Sequence, residues 1–220
     1  MLDYIQARTN MLDSQIHTSG VVNPDILEAF QNIPREMFVP EAMRGVAYND
    51  EDITLGHGRY LLEPVVHARM LQALDPKKDD VVLDVGCSSG YSAAILSSIV
   101  STVVALDEQQ DLLEHASRAW DDLQISNIVS FIGPLVNGQP ENAPYDLIVI
   151  NGAVESVPQP LLNQLSHGGR MMAIIKKPNT VMGDVTLIEN LGKNNFSSYT
   201  LFSAGSPFLP GFTTRPAFNF

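Results

Sequence analysis

The chain has a single cysteine, Cys87, in 220 residues. An internal disulfide is excluded, and so is a metal site built on several thiolates. Basic residues are also scarce. Thirteen Lys and Arg stand against 25 Asp and Glu, a formal net charge of −12. Only Lys77-Lys78 and Lys176-Lys177 place two together. Broad contact with nucleic acid or an anionic membrane needs clustered positive charge, so neither partner is expected. No run approaches the ~18 apolar residues of a membrane span. Met1 to Gln6 lacks a basic start followed by an apolar stretch, so no signal peptide is expected. There is no internal repeat and no low-complexity segment. These absences leave a cytoplasmic enzyme or binding protein of ordinary globular composition. They give no oligomeric state.

What is present divides at about residue 75. Residues 1–75 read as a helical, irregular extension. Asn23-Pro24-Asp25 is a helix start, with a capping side chain and then proline at the first helical position. Pro34 and Pro40 break the chain beyond that helix, and Thr54 to Arg59 reads as a loop. Pro64 opens a helix over 65–74. From 76 to 220 the pattern alternates. Strand-like runs fall at 81–85, 102–106, 128–132, 146–150, 170–175, 185–189 and 198–203. Helix-like segments fall at 91–99, 109–119 and 158–166. This predicts a doubly wound, mainly parallel α/β sheet. The last two runs lack a helix between them and predict an antiparallel hairpin. Phe208, Phe212, Phe218 and Phe220 in the tail are costly to leave in water, so the tail is expected to dock.

The most informative segment is Val81-Val82-Leu83-Asp84-Val85-Gly86-Cys87-Ser88-Ser89-Gly90-Tyr91. A buried strand enters a glycine-rich turn and then a helix, whose N-terminus offers unpaired N–H groups. The next strand, Thr102 to Leu106, ends in Asp107, placed to hold ribose hydroxyls. Three readings compete. A dinucleotide site expects G-x-G-x-x-G, and here the middle and last glycines are missing. A hydrolase would use Gly86-x-Ser88-x-Gly90 as a nucleophile elbow, with His167 as base and Asp146 as its orienter. However, Asp146 precedes its strand, His167 reads as a helix cap, and no upstream segment supplies an oxyanion hole. A nucleoside-cofactor site of the S-adenosylmethionine type expects Asp84, Gly86, Gly90 and Asp107 as they stand, with Ser88 as a small substitute.

The resemblance extends beyond the loop. Ile33-Pro34-Arg35-Glu36-Met37-Phe38-Val39-Pro40, Ala47-Tyr48-Asn49-Asp50, Gly56-His57-Gly58 and Ala68-Arg69-Met70 resemble the protein-L-isoaspartate O-methyltransferases. So do Ala143-Pro144-Tyr145-Asp146-Leu147-Ile148-Val149 and the segment Leu162 to Arg170. The match runs over about residues 10–175. It implies the methyltransferase version of the doubly wound sheet, with S-adenosylmethionine as cofactor and S-adenosylhomocysteine as product. It also implies methyl transfer to the α-carboxylate of an isoaspartyl residue in a damaged protein or peptide. By resemblance, Asp84, Gly86, Ser88 and Gly90 would hold the methionine end, Asp107 the ribose and Gly133 the region of the adenine. The 56–64 loop would close over the reacting centre.

Three departures stand out. Where the family reads G-x-G-Q-T-I-S-x-P, this chain reads Gly56-His57-Gly58-Arg59-Tyr60-Leu61-Leu62-Glu63-Pro64. Tyr60 and Leu62 replace hydroxyl residues that line the family's acceptor site, and Leu62 has no donor for a carboxylate. Arg59 could instead clamp the acceptor carboxylate, or stand as a solvated loop arginine. After the third strand, Gly133-Pro134-Leu135 lacks the family's adenine-contacting Asp. After the fourth, Asn151-Gly152-Ala153 replaces Thr-Ala-Ala. The alternative is thus a divergent relative that methylates another acceptor or acts as a non-catalytic interaction protein.

Overall fold

The computed structural model describes residues 3–212. The N-terminal part is helical. α1 (Tyr4–Met11) runs through a π-helical turn, and α2 (Pro24–Asn32) starts where the sequence indicates. Asn23 accepts hydrogen bonds there from the Asp25 and Ile26 amides. The expected loop at 54–59 is instead a small antiparallel hairpin, β1 (Ile53–Gly56) and β2 (Arg59–Leu61). His57 and Gly58 form its turn with φ of 51° and 70°. Two left-handed residues in a two-residue loop match the twist of paired strands. α3 (Pro64–Leu74) comes next, with proline at its first position.

The sheet comprises β3 (Val81–Val85), β4 (Thr102–Asp107), β5 (Ile128–Ile132), β6 (Tyr145–Val154), β7 (Leu165–Ile175), β8 (Gly183–Gly192) and β9 (Asn195–Ala204). Their order is β5-β4-β3-β6-β7-β8-β9. The first five are parallel, and β8 and β9 are antiparallel. The predicted hairpin at the end is thus present. α4 (Tyr91–Ser97), α5 (Gln110–Asp122) and the short α6 (Gln159–Leu162) connect the parallel strands. Val82, Leu83, Asp84 and Val85 are all buried, because β3 lies between β4 and β6 with both faces covered. One face packs against α2, α3 and α4, and the other against Leu135, Tyr145 and Leu161.

Two sequence readings change here. The helix expected over 158–166 ends at Leu162, and His167 lies within β7, not at a helix cap. Gly168, with φ of 77°, falls where β6 and β7 shift register. Asp146 accepts the Val81 amide at 2.9 Å and the Ser166 hydroxyl at 3.3 Å. Its carboxylate ties strands together at their starting ends, and no contact brings it to His167 or Ser88. Ser88 donates to the Gly86 carbonyl at 3.0 Å. The hydrolase constellation is not assembled.

Candidate active site

β3 delivers Asp84 to the C-terminal edge of the sheet and the chain then turns sharply. Gly86, Ser88 and Gly90 all have positive φ, at 71°, 53° and 90°. Ser88 adopts the left-handed region without glycine's freedom, at a cost of roughly 1 kcal/mol. Its amide donates to Asp107 at 3.0 Å, which holds the conformation. The Gly86 amide reaches the Leu106 carbonyl at 2.8 Å, and Trp120 donates to the Gly90 carbonyl at 3.0 Å. Gly133 lies just beyond β5 and donates its amide to the Asp107 carbonyl at 3.1 Å. Asp84, the loop, Asp107 and Gly133 therefore converge at one sheet edge, where ligands of such sheets sit.

The two carboxylates differ in their partners. Asp84 Oδ1 accepts from Ser92 at 2.9 Å and from Asn151 at 2.6 Å, while its Oδ2 is buried with no hydrogen-bond partner. Burial pushes its pKa up to about 6 against the lowering effect of those two bonds. An orphaned buried acceptor of this kind is costly and fits a missing donor. Asp107 is saturated. It accepts from the Ser88, Glu108 and Gln109 amides, and both its oxygens meet Arg59 Nε, at 3.1 and 3.2 Å. Neither side chain of this pair is exposed. Glu108 adds a contact to Arg59 at 3.4 Å. Arg59 is therefore neither a solvated loop residue nor a free carboxylate clamp. The hairpin turns it inward onto the acidic residue read as the ribose acceptor.

The acceptor side is apolar at its centre. Leu62 is buried, and Tyr60 is half-buried beside it. Arg35, fully buried, donates to the Leu62 and Ala47 carbonyls, each at 2.7 Å. It stands 5.0 Å from the Tyr91 ring centre. His67 packs edge-on against Phe30 and Tyr91. Burial and the nearby Arg35 charge lower its pKa to about 3. Burial, with Asp50 and Asp52 nearby, raises Glu63 to about 7. Sequence reasoning placed Arg35 and Glu63 within motifs without giving either a role, and it missed His67. The shifts of His67 and Glu63 come first from burial, which no local spacing signals.

The tail also enters the site. Leu209 donates its amide to the Ala153 carbonyl at 2.8 Å, and the Ala153 amide donates to the Pro207 carbonyl at 3.0 Å. A Cβ built on Gly86 would stand 3.0 Å from both Leu209 methyl groups, and one on Gly152 would stand 3.1 Å from Leu209 Cβ. The expected docking of the tail holds for its first part, while residues 213–220 lie outside the described residues. The space left among Tyr60, Leu62, His67, Gly86, Ser88 and Asn151 is about 10 Å³. That is about the room of one water, far below the several hundred Å³ of a ligand cavity. The polar frame offers the groups an adenosyl cofactor needs, and the space between Leu62 and the Gly86–Ser88 turn is tightly filled.

Known proteins share this fold. A solved protein-L-isoaspartate O-methyltransferase superposes with a TM-score of 0.80 at 25% identity, covering 93% of this chain and 66% of that one. A second, from Plasmodium falciparum, described as a putative member in complex with S-adenosyl-L-homocysteine, gives 0.76 at 18% identity, covering 94% and 98%. The fold is thus that of the S-adenosylmethionine-dependent methyltransferases. The family model for protein-L-isoaspartate(D-aspartate) O-methyltransferase matches residues 6–199. A relative from Pelobacter propionicus, protein-L-isoaspartate O-methyltransferase 2, is 34% identical over 92% of this chain and 89% of its own. One from Syntrophus aciditrophicus is 38% identical over 78% and 79%. The chain belongs to the protein-L-isoaspartate O-methyltransferase family. It is a family of enzymes whose cofactor is S-adenosylmethionine.

Proposed function

We propose that this protein transfers a methyl group from S-adenosylmethionine to a carboxylate of a protein or peptide, the isoaspartyl α-carboxylate first among candidates. The observation that carries this reading is the convergence of Asp84, the Gly86–Gly90 turn and Asp107 at one sheet edge. Asp84, Gly86, Ser88 and Gly90 would receive the methionine end, with the orphaned Asp84 Oδ2 accepting from its ammonium. Asp107 would receive the ribose hydroxyls and Gly133 would flank the adenine. When bound, the cofactor supplies an activated methyl on sulfur. The acceptor carboxylate is already ionised at pH 7, so no general base is needed. What the chain must do is align the reacting oxygen and exclude water. The hairpin and Leu62 suit the second task. Tyr60 offers the only hydroxyl among residues 59–62, so it is the candidate for the first.

Transfer of labelled methyl groups to an isoaspartyl peptide tests this, with wild type and Leu62→Ser side by side. Activity in the wild type supports the isoaspartyl assignment. Activity only in Leu62→Ser means that the natural acceptor differs. The second reading, a non-catalytic relative, is favoured by the buried Arg59–Asp107 pair and the tight packing between Leu62 and the glycine turn. Absence of binding by S-adenosylhomocysteine to every variant would place that reading ahead.

A further inference from the structure

We propose that Arg59 determines how this protein reads the ribose of its cofactor: the guanidinium and the ribose hydroxyls compete for the same two oxygens of Asp107. The inference rests on the cofactor reading above. Asp107 is buried, and its acceptor positions are already taken. Oδ1 accepts from the Glu108 amide at 2.7 Å and the Gln109 amide at 3.0 Å, and Oδ2 accepts from the Ser88 amide at 3.0 Å. These three bonds come from backbone fixed by the end of β4 and by the glycine turn, so they stay when a ligand arrives. Arg59 Nε takes what remains, 3.2 Å from Oδ1 and 3.1 Å from Oδ2. A carboxylate has about four lone-pair sites. Three amides and one N–H shared between both oxygens leave none for a hydroxyl. Ribose reaches Asp107 only when Arg59 gives up its place.

Arg59 has a second partner to move to. Its Nη2 already stands 3.4 Å from Glu108 Oε2, and the Glu108 side chain is 36% exposed while those of Arg59 and Asp107 are fully buried. Rotation outward exchanges the Asp107 contact for the Glu108 one and keeps the guanidinium paired. The inward position is also incompletely satisfied, because Nη1 is buried with no hydrogen-bond partner. This exchange sets the worth of the diol. A hydroxyl that binds Asp107 displaces a bond between two ions, the stronger kind, so its net contribution is small. A ligand without the diol leaves Arg59 where it is. The preference for ribose over a deoxygenated ribose is therefore low in this chain, and position 59 is what lowers it.

The test titrates S-adenosylhomocysteine and its 2′,3′-dideoxy analogue calorimetrically into the full chain and into Arg59→Gln, with circular dichroism to verify folding. Wild type is expected to separate the two ligands by less than about tenfold. Arg59→Gln is expected to bind S-adenosylhomocysteine at least about tenfold tighter than wild type does, with its affinity for the analogue unchanged. A merely structural role would move both ligands together. In the unsubstituted chain, which needs no variant to fold, the Arg59 Nε–H resonance should shift on saturation with S-adenosylhomocysteine and stay in place with the analogue. The same ratio of affinities in both proteins, or an Arg59 resonance that responds alike to both ligands, would overturn the proposal and leave the cofactor reading standing. If neither ligand binds either folded protein, the cofactor reading fails, and the proposal falls with it.

Discussion

The two halves of the site have different characters. The sheet half, from Asp84 through the loop to Asp107, is built of buried backbone turns whose every bend has an identifiable cause. The covering half, made of the hairpin, Leu62 and the tail, is built of side chains resting on one another. The first half carries departures at single turn positions, Gly133-Pro134-Leu135 and Asn151-Gly152-Ala153, while the second carries the run Arg59, Tyr60 and Leu62. A frame of central strands tolerates little change because its atoms have no other place to go. A cover of loops can exchange one filling for another.

The largest effect expected lies under the cover. His67 is held neutral with its pKa lowered to about 3 from an ordinary 6.5. Its stability contribution is whole above pH 6.5 and falls by about 1.4 kcal/mol for each pH unit below it, about 5 kcal/mol by pH 3. Denaturation midpoints for wild type and His67→Phe should diverge in favour of the variant as pH drops from 7 to 3. Parallel curves would show that His67 charges freely and that the cover is open to water.

The next effect belongs to the frame. A Cβ on Gly90 would meet Ala116 Cβ and Trp120 Cζ2, each at 2.6 Å, at a φ of 90°. Gly90→Ala should cost about 4 kcal/mol, the sum of left-handed strain and overpacking, read from urea unfolding. A loss under about 1 kcal/mol would mean that α5 can step back and the frame is softer than its packing suggests.

Asp84 gives a pH effect of the opposite sign to that of His67. Its folded pKa is raised to about 6 from 3.8, so its ionisation opposes folding. That penalty, about 3 kcal/mol, is full above pH 6 and disappears as pH falls towards 3.8. Relative to wild type, Asp84→Asn should therefore lose about this much stability between pH 7 and pH 4. In wild type the Asp84 and His67 slopes largely cancel between pH 6 and 4, so only the single variants reveal them. An unchanged difference across that range would sink the account of Asp84 as a buried, half-satisfied carboxylate.

The smallest effect sharpens the contrast by matching conformation. Gly56 has a φ of 88°, nearly that of Gly90, yet nothing lies within 4 Å of a Cβ built there. Gly56→Ala should cost only about 1 kcal/mol, the strain alone. If thermal unfolding shows the two glycine variants equally damaged, crowding is not what separates frame from cover.

Much of the frame was legible. The strand at 128–132 and the proline-started helix at 64 arise from apolar runs and local punctuation, which act over a few residues. Asp84, Gly86, Gly90 and Asp107 stand out because a turn between buried strands restricts what can occupy it. The hairpin at 53–61 was not legible, because its strands are short and interrupted by glycine. Nor was the destination of Arg59, whose partner Asp107 is remote in sequence. His167 misled because a Ser-His-Gly-Gly run reads locally as a helix end, whereas pairing with neighbouring strands draws it into β7.

By itself, the sequence determined the alternation of strands and helices, the glycine turn with its two carboxylates, and the resemblance to an isoaspartyl methyltransferase. These are local patterns, and local sterics and periodicity enforce them. Only the tertiary structure decided that Arg59 is spent on Asp107 and that Leu209 fills the space between Gly86 and Gly152. Which side chain occupies a buried volume depends on every segment that can reach it, and these two are remote from each other in the chain.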